Sequence, residues 1–361
     1  MKIGEWFERP AAWLDGDAAS AVVVSSRVRL ARNLEDAAFP GWAGEEERVR
    51  VWERLRASFA AVPALETALC IGNEEMTDLE RTLLFERHLV SLEHARQGRG
   101  SGLALRADEQ LSVMVNEEDH LRLQALSPGL NLRACWQRVN ALDDALEADT
   151  RYAFSPDWGY LTACPTNVGT GMRASVMLHL PALALLDEMS RTVKGIQKIG
   201  LAVRGLWGEG TEAHGNLFQV SNQVTLGERE ETLLERLEQV VRELMEHEEN
   251  ARGRLLEKRE TLLRDQTGRA VGILGRAHIL ASREALDLLS ALRLGIESGM
   301  LKDVDRRVID DLLLRVQPAH VQWSAGRRLT ATERDEARAA MVRGRLAAAL
   351  ERPRRRRKSD E

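Results

Sequence analysis

Ala21-Val22-Val23-Val24-Ser25-Ser26-Arg27-Val28-Arg29-Leu30 is the stretch of sequence that decides the fold. It starts as a β-branched run and then alternates, with Arg27 and Arg29 at odd positions and Val28 and Leu30 at even ones. Successive side chains of a strand point to opposite faces of a sheet. The pattern therefore predicts a strand that buries one apolar face and presents two arginines to the interior or to a cleft.

Strand and helix patterns alternate outward from this stretch as far as residue 226, and after Gly227 the composition shifts to long charged helices. Ser282 is expected to be an N-cap, and Thr330 with Glu333 forms a capping-box pattern. We therefore predict an α+β domain over residues 1–250, an all-helical domain over 251–350, and a disordered basic tail over 351–361. Strand patterns cover residues 111–116, 121–126 (as a hairpin-like edge), 159–164 and 217–226, and residues 174–180 are an apolar run. Helical patterns cover residues 45–61, 78–95, 139–147, 183–189 and 228–264.

Composition bounds the class of protein. The 361 residues are 44% hydrophobic and 30% charged, which is enough for a large core or two domains, and the net charge of -5 does not suggest direct binding of nucleic acid. The three cysteines lack Cys-x-x-Cys spacing, so neither a zinc site nor a disulfide framework is expected. The apolar runs are too short to span a bilayer and no signal peptide is visible, so we predict a cytoplasmic protein. The basic tail fits a solvated segment, with a contact to nucleic acid or an acidic protein as the alternative.

Two segments each place a glutamate near an arginine. Glu118 lies in Asn116-Glu117-Glu118-Asp119-His120-Leu121-Arg122, and Glu209 lies in Arg204-Gly205-Leu206-Trp207-Gly208-Glu209-Gly210. A guanidinium is protonated at ordinary pH, so an enzyme that phosphorylates one must orient a nitrogen and help to remove a proton. Paired carboxylates do both, because each accepts guanidinium N–H bonds in a fixed fork. We predict Glu118 and Glu209 as that pair, although the first segment alone would favour a charged surface turn.

Arginines near strands and Gly-containing loops suit a polyphosphate, and no Walker lysine loop or kinase-type Gly-rich loop is present. Taken singly, each of these arginines would be read as a surface residue. Cys164 precedes Pro165 at the end of a predicted strand, which fits either a buried small hydrophobe or a thiolate near the guanidinium. His88 falls in the helical pattern of residues 78–95, where by itself it would be an ordinary histidine. The candidate phosphate ligands are Arg27, Arg29, Arg122, Arg173 and Arg204.

Together these segments, in this order and spacing, resemble the phosphagen (guanidino) kinase family, and most closely its bacterial branch, the McsB-type protein arginine kinases. The resemblance implies a curved, mostly antiparallel sheet flanked by helices. It implies that Glu118 and Glu209 clamp the guanidinium, that Cys164 faces it, and that His88 lies at the adenine end. It also implies ATP as substrate with Mg²⁺ held by ATP oxygens and water. The implied ATP-binding residues are Ser25, Ser26, Arg27, Val28, Arg29, His88, Arg122, Arg173, Ala174, Ser175, Val176, Met177, Arg204, Gly205, Leu206, Trp207, Gly208 and Glu209.

The ends of the chain distinguish branches of that family. The arginine strand begins at Ser25, which leaves no room for the N-terminal helical domain of the small-molecule kinases, and a helical C-terminal domain follows instead. The segment Arg334-Asp335-Glu336-Ala337-Arg338-Ala339 resembles the branch's RDxxRA motif, which binds phosphoarginine allosterically; without the family it would be an exposed ion cluster.

The resemblance implies an ATP-dependent protein arginine kinase that marks proteins for the Clp protease and regulates the stress response. Its implied partners are ClpC, McsA and CtsR, and a homodimer is expected from the helical domain. A kinase of free arginine or a related small guanidine is one alternative, and a non-catalytic regulator that binds phosphoarginine is another.

Overall fold

The structure is a computed structural model that describes residues 3–14, 21–205, 213–302 and 304–350. It divides into two compact units, one formed by residues 1–180, 187–213 and 217–247, and one by residues 181–186, 214–216 and 248–361. In the described ranges, no helix is both long and apolar enough to cross a membrane. The strands are β1 Val23–Arg32, β2 Leu69–Gly72, β3 Gly102–Leu105, β4 Leu111–Val115, β5 Leu121–Pro128, β6 Phe154–Ser155, β7 Gly159–Tyr160, β8 Met172–His179, β9 Leu201–Gly205 and β10 Leu217–Asn222. The α-helices are α1 Glu45–Phe59, α2 Asp78–Glu86, α3 Leu92–Arg96, α4 Leu132–Glu147, α5 Pro181–Leu185, α6 Met189–Lys198, α7 Glu230–Lys258, α8 Glu260–Arg276, α9 Ser282–Glu297, α10 Arg306–Arg315, α11 Pro318–Ala325 and α12 Ala331–Leu350.

An antiparallel sheet of eight strands forms the first unit, in the order β2-β3-β4-β5-β1-β8-β10-β9. Strand β1 lies inside it, between β5 and β8, and carries the predicted alternation. Val28 and Leu30 are fully buried on the face that packs on α4, where Cys135, Val139 and Leu142 are fully buried as well. The opposite face of β1 carries Arg27 and Arg29. An α+β fold with an antiparallel sheet flanked by helices is therefore confirmed.

Register brings distant residues to the arginine face. Arg29 is paired with Gln124 of β5 and with Arg173 of β8. Directly paired residues of antiparallel strands point to the same face of a sheet. One face thus collects arginines that are about 145 positions apart along the chain.

The predicted helix over residues 78–95 is wrong in its middle. Helix α2 begins with a capping box between Thr77 and Glu80 and ends at Glu86, and α3 begins only at Leu92. His88 lies in the break, with a positive φ of 59°. The reason is tertiary, because Arg87 is buried in an ion pair with Glu109 and its carbonyl accepts a bond from the Trp13 indole at 2.9 Å.

Two other strand predictions need correction. The segments 111–116 and 121–126 do form a hairpin, but both strands lie inside the sheet and not at its edge. The predicted strand over 159–164 is reduced to the two residues of β7, which pairs with β6. Cys164 instead precedes a 3₁₀ turn, Pro165–Asn167.

The second unit is helical throughout its described residues. Two of its buried acidic residues are paired: Asp310 forms an ion pair with Arg293 at 2.8 Å, and Glu248 accepts hydrogen bonds from the backbone amides of Ala182 and Leu183. The capping box between Thr330 and Glu333 is confirmed, since Thr330 N bonds to the Glu333 carboxylate at 2.7 Å and Glu333 N bonds to the Thr330 hydroxyl at 3.3 Å. Ser282 was expected to be an N-cap, but it is the first residue of α9 and Ala281 occupies that position.

Candidate active site

The arginine face forms the floor of a cleft of about 310 Å³. Five strands and two loops contribute to it. Strands β5, β1, β8 and β9 each place arginine on this face and β10 adds Gln219, while the turn after β4 and the loop before β8 add Glu118 and Cys164. Five arginines and one glutamate lie among the residues that line the cleft, so it is strongly positive. The lining residues are Arg27, Arg29, Leu30, Ala31, Glu118, Arg122, Cys164, Thr166, Asn167, Gly171, Arg173, Arg204 and Gln219.

Neutral groups surround most of these guanidinium groups. Arg27 donates to Gln219 at 2.5 Å and to Ser175 at 3.4 Å, and Arg173 donates to Ser221 at 3.2 Å. The buried Nε atoms of Arg29 and Arg173 have no hydrogen-bond partner within the described residues. Buried donors without partners are costly in the ligand-free protein, so the cleft is arranged to receive an acceptor from outside.

Mutual repulsion is visible in the pKa values of the same arginines. Burial, followed by Arg173 and Arg122, lowers the pKa of Arg27 to about 10. Burial also lowers the pKa of Arg29 well below its usual value, with Arg27, Arg122 and Arg173 adding to the effect against a smaller opposing contribution from Glu117. A polyanion that bound here would relieve both burial and repulsion.

The predicted acidic segment is the tight turn between β4 and β5, and its three acidic residues have separate roles. Glu117 is buried and forms an ion pair with Arg122, so it fixes that arginine. Glu118 is exposed in the cleft, and its carboxylate lies 3.5 Å from Arg122. Burial is the largest of the effects that raise the pKa of Glu118, Arg122 opposes it, and Asp119, Glu117 and Glu93 add to the rise. A carboxylate with a raised pKa is a better proton acceptor than an ordinary glutamate.

Asp119 joins this turn to the loop that carries Cys164. Its Oδ1 accepts bonds from Asn33 Nδ2 at 2.6 Å and from Ala163 N at 2.7 Å. Asn33 in turn accepts a bond from His120 N at 2.9 Å and donates to Leu161 O at 3.1 Å. The sequence reasoning missed Asn33, Glu117 and Asp119 as positioning residues, because single polar residues next to a motif give no signal of their own before the contacts are known.

We expect Asp119→Ala to disturb catalysis through position. It would leave the Ala163 amide and the Asn33 amide without their shared acceptor, at a cost of about 1–3 kcal/mol in the free energy of unfolding. The Cys164 loop and Glu118 would lose their common support, and kcat should fall about tenfold or more, because small displacements of reacting groups are costly. Denaturant unfolding and steady-state kinetics measure the two effects. The exposed Asp149→Ala should change neither, and a kcat equal to that of the wild type in the Asp119 variant would contradict this role.

Cys164 lies in the cleft just before the 3₁₀ turn Pro165–Asn167, and its Sγ and the Thr166 hydroxyl are 3.0 Å apart. It is only partly buried, whereas Cys135 is fully buried against α4 and burial raises the pKa of Cys135 to about 12. Of the two alternatives that the sequence left open, the position of Cys164 fits a thiol that is accessible from the cleft and does not fit a core hydrophobe.

His88 lies at the far end of the arginine face, next to a small cavity that Arg27 and Gln219 share with the main cleft. The Trp13 ring packs edge-on against it at 5.0 Å, and burial with a contribution from Arg27 lowers the pKa of His88 to about 3. His88 is therefore neutral at physiological pH. Its apolar neighbours, Leu126 and Met177, suit a flat heterocycle better than a phosphate.

Some of the remaining predicted nucleotide-binding residues line the cleft or the small cavity, and others lie on the opposite face of the sheet. Arg173 lines the main cleft, and Ser25, Ser175 and Met177 line the small cavity. The intervening Ser26, Val28, Ala174 and Val176 point to the other face and are fully buried, so strand alternation excludes their side chains from the cleft. Ser26 donates to Gly129 O at 2.8 Å and supports the approach to α4. Gly205 ends β9, and the predicted residues Leu206, Trp207, Gly208 and Glu209 lie outside the described residues.

The segment Arg334 to Ala339 of the helical unit contains both buried and exposed side chains. Arg338 is buried and donates to Val316 O at 2.7 Å and to Leu280 O at 2.8 Å, besides its ion pair with Asp335. Ala339 is buried as well. Arg334 and Asp335 are partly exposed, Ala337 is partly exposed and Glu336 is exposed. Arg338 is the more enclosed of the two arginines, because its Nε and Nη1 atoms already donate to backbone carbonyls. That Arg334 and Arg338 share a phosphate stays a prediction.

Known families account for most of the chain. The ATP:guanido phosphotransferase C-terminal catalytic domain matches residues 50–251, and the protein-arginine kinase McsB C-terminal domain matches residues 260–358. A protein-arginine kinase of Halothermothrix orenii is 44% identical over 92% of this chain and 96% of its own length, and one of Moorella thermoacetica is 46% identical over 94% and 98%.

A solved structure, the duplicated taurocyamine kinase of Schistosoma mansoni, has a TM-score of 0.59 and 26% identity over 69% of this chain and 36% of that longer one. The family matches, the curated relatives and the similarity to this solved structure agree. The chain is a phosphotransferase that belongs to the ATP:guanido phosphotransferase family, in its protein-arginine kinase branch.

Proposed function

We propose that this chain transfers the γ-phosphoryl group of ATP to the guanidinium group of arginine side chains in other proteins. The single observation that carries the proposal is the cleft in which five arginines meet one exposed carboxylate, Glu118, and one accessible thiol, Cys164. The arginines suit a polyphosphate, and Glu118 with Cys164 suits a guanidinium group. The relatives named as protein-arginine kinases support a protein as the acceptor.

The cleft has a direction along which ATP would lie. The base would take the small cavity beside His88, and the phosphates would extend past Arg27 towards Arg29 and Arg173. The γ-phosphoryl group would then reach the end of the cleft where Glu118 and Cys164 lie. Phosphoryl transfer depends mainly on positioning and charge neutralisation, which the arginines supply.

Glu118 is the residue that we assign to the acceptor. Its carboxylate would accept guanidinium N–H bonds and take the proton that the attacking nitrogen loses. Glu209, Trp207 and their neighbours belong to the same proposal on the ground of family resemblance alone. Magnesium would enter with ATP and be held by its oxygens, which agrees with the chemistry of Mg²⁺ at nucleotide phosphates.

Phosphorylation of an unfolded protein tests the proposal. We expect incubation with ATP and reduced, unfolded casein to add 80 Da groups to arginine residues, read by mass spectrometry at neutral to alkaline pH because the N–P bond is acid-labile. Free arginine in the same assay is the control for acceptor class. Phosphorylation of free arginine with none on the protein would replace this proposal with a small-guanidine kinase, and binding of phosphoarginine without any transfer would favour a regulator.

Regulation by phosphoarginine is a second part of the proposal, and the exposure of Arg334 and Asp335 supports a role for these two residues. Arg334 donates to Leu329 O at 3.0 Å and keeps part of its guanidinium exposed, beside the partly exposed Asp335. The pair Arg334 and Asp335 would bind the two ends of phosphoarginine, while Arg338 holds the helix that carries them.

The double variant Arg334→Ala with Asp335→Ala is expected to keep its basal activity and lose the response to added phosphoarginine. Arg338→Ala should instead lower the free energy of unfolding of the helical unit by about 3 kcal/mol, so that it unfolds at a lower denaturant concentration. The reason is that the buried carbonyls of Val316 and Leu280 lose their hydrogen-bond donor. A phosphoarginine titration of activity, together with denaturant unfolding, separates the two roles. Equal responses of the wild type and the double variant would remove this regulation from the proposal.

The cellular role rests on family resemblance only. In that reading the phosphoarginine mark directs proteins to the Clp protease through ClpC, acts on CtsR in the stress response, and requires McsA as activator in the cytoplasm. A homodimer belongs to the same reading. Analytical ultracentrifugation of the full chain tests the dimer, and a single species at the monomer mass would contradict it.

A further inference from the structure

The described part of the chain leaves few large aromatic side chains in solvent, and those few are not scattered. Trp42 is 91% exposed, Trp158 is 57% exposed and Phe154 is 56% exposed. The other described aromatic residues are buried or partly buried. Exposed apolar side chains are common singly, but a concentration of the largest ones around one site indicates a binding surface.

All three side chains belong to segments bonded to the end of the cleft that holds Glu118. The Trp42 segment is fixed to the acidic turn on both sides, because His120 Nε2 lies 3.0 Å from Ala38 O and Asn116 Nδ2 donates to Arg48 O at 2.8 Å. The Phe39 ring also packs edge-on against His120 at 6.2 Å. Trp42 is therefore carried on a loop that is held at two points to the turn presenting Glu118.

The β6–β7 hairpin, which carries Phe154 and Trp158, is fixed to the same end from the other side. Ala153 N donates to Asn33 O at 2.8 Å, and Asn33 Nδ2 donates to Leu161 O at 3.1 Å. Leu161 is three residues before Cys164. The backbone that fixes the hairpin is therefore close in sequence to the thiol that lies in the cleft.

A third exposed apolar segment reaches the Cys164 loop. Val224 is 45% exposed and Leu226 is 42% exposed, on either side of Thr225, whose hydroxyl donates to Thr166 O at 2.8 Å and to Val168 O at 2.7 Å. Gly169, with a φ of +109°, lets the Thr225 segment approach the Cys164 loop, because a Cβ at Gly169 would lie 2.3 Å from Thr225 O. We name the set Trp42, Phe154, Trp158, Val224 and Leu226 the apolar rim.

We propose that the apolar rim binds the apolar side chains that flank the target arginine in an extended polypeptide. This inference rests on the proposed function and names the substrate class more closely, as unfolded segments in which arginine stands near aromatic or aliphatic residues. The occupant follows from where these segments are attached. A side chain that brings its guanidinium to Glu118 must leave its own backbone outside the cleft, and the segments of the rim are hydrogen-bonded to the acidic turn, to Asn33 and to the Cys164 loop.

Burial gives the expected size of the preference. An apolar side chain gains about 1.5–3 kcal/mol on full burial, so partial burial of one or two flanking residues should improve kcat/KM about tenfold or more.

Two peptides of equal length and charge test the inference with the full chain. Each has one central arginine, flanked by serine and glycine in one peptide and by leucine and phenylalanine in the other. We expect kcat/KM to be about tenfold higher for the apolar peptide, and the variant Trp42→Ser with Trp158→Ser to lose most of that ratio. Phe154 is left in place because its ring packs against Tyr160 at 5.3 Å and supports the hairpin.

The polar peptide reports the integrity of the catalytic centre, since its turnover should be the same in the wild type and the double variant. Ile199→Ser is the matched control, because Ile199 is 48% exposed after α6 and outside the rim. It should keep the full preference. Equal kcat/KM for both peptides in the wild type, or an unchanged ratio in the double variant, would overturn the inference and leave the arginine kinase proposal standing.

A binding measurement separates the rim from the chemistry. A fluorescein-labelled apolar peptide with citrulline in place of arginine cannot accept phosphate, and its anisotropy reports contact with the rim alone. We expect it to bind the wild type and Ile199→Ser about tenfold more tightly than the double variant. If neither arginine peptide is phosphorylated while this difference persists, the proposed function fails and the rim stands; equal affinities overturn the rim.

Discussion

Glu118→Gln is expected to lower kcat for arginine phosphorylation by about 10²–10⁴-fold while ATP binding stays nearly unchanged. A positioned base contributes about that factor, and glutamine keeps the shape and one acceptor oxygen but cannot take a proton. The nucleotide should be unaffected because Glu118 lies at the far end of the cleft from His88. Steady-state kinetics and calorimetric titration with ATP measure the two effects.

The pH profile gives a second measure of the same residue. Since burial raises the pKa of Glu118, the active carboxylate should be lost as the pH falls through that raised pKa, so activity should decline at a higher pH than for an ordinary glutamate. Glu53→Gln, an exposed change on α1, should leave both the rate and the profile as in the wild type. A Glu118→Gln enzyme with a kcat near that of the wild type would remove this residue from the chemistry.

Arg29→Met is expected to stabilise the ligand-free protein and to destroy most of its affinity for ATP. The guanidinium of Arg29 is buried among other arginines, and those neighbours and burial lower its pKa. Removing the charge relieves that repulsion, while methionine occupies similar volume. The lost charge-assisted bonds to phosphate should weaken ATP binding by about 1.5–3 kcal/mol, which is about 10- to 150-fold.

Arg32→Met is the matched control, three residues along the same strand but on the opposite face. Arg32 forms a buried ion pair with Asp143 at 2.6 Å and lies 3.5 Å over the Tyr160 ring. Its replacement leaves Asp143 buried without its ion-pair partner and should destabilise the protein by about 3–5 kcal/mol. Thermal unfolding without ligand should therefore move in opposite directions for the two variants. Destabilisation by both would mean that the cleft arginines are structural and not reserved for an anion.

Local pattern was enough to predict the fold class and the main strand. Period-two alternation places Arg27 and Arg29 opposite Val28 and Leu30, whatever the rest of the chain does, and capping at Thr330 depends only on residues three positions apart. The family resemblance then associated Glu118, Cys164 and the arginines of other strands with that face. These statements depend on sequence order and on short-range geometry.

Tertiary structure alone decided which residues of each motif are used. The break at His88 follows from Arg87 reaching Glu109, and no periodicity within residues 78–95 contains that contact. Arg338 carries the same charge as Arg334, but only Arg338 is buried and donates to the carbonyls of Val316 and Leu280. The role of a polar side chain depends on the partners that folding brings to it, and partners distant in sequence leave no local pattern. For the same physical reason the sequence by itself determined the arginine face, whereas only the tertiary structure decided that the segments carrying Trp42 and Trp158 are hydrogen-bonded to the acidic turn and to Asn33.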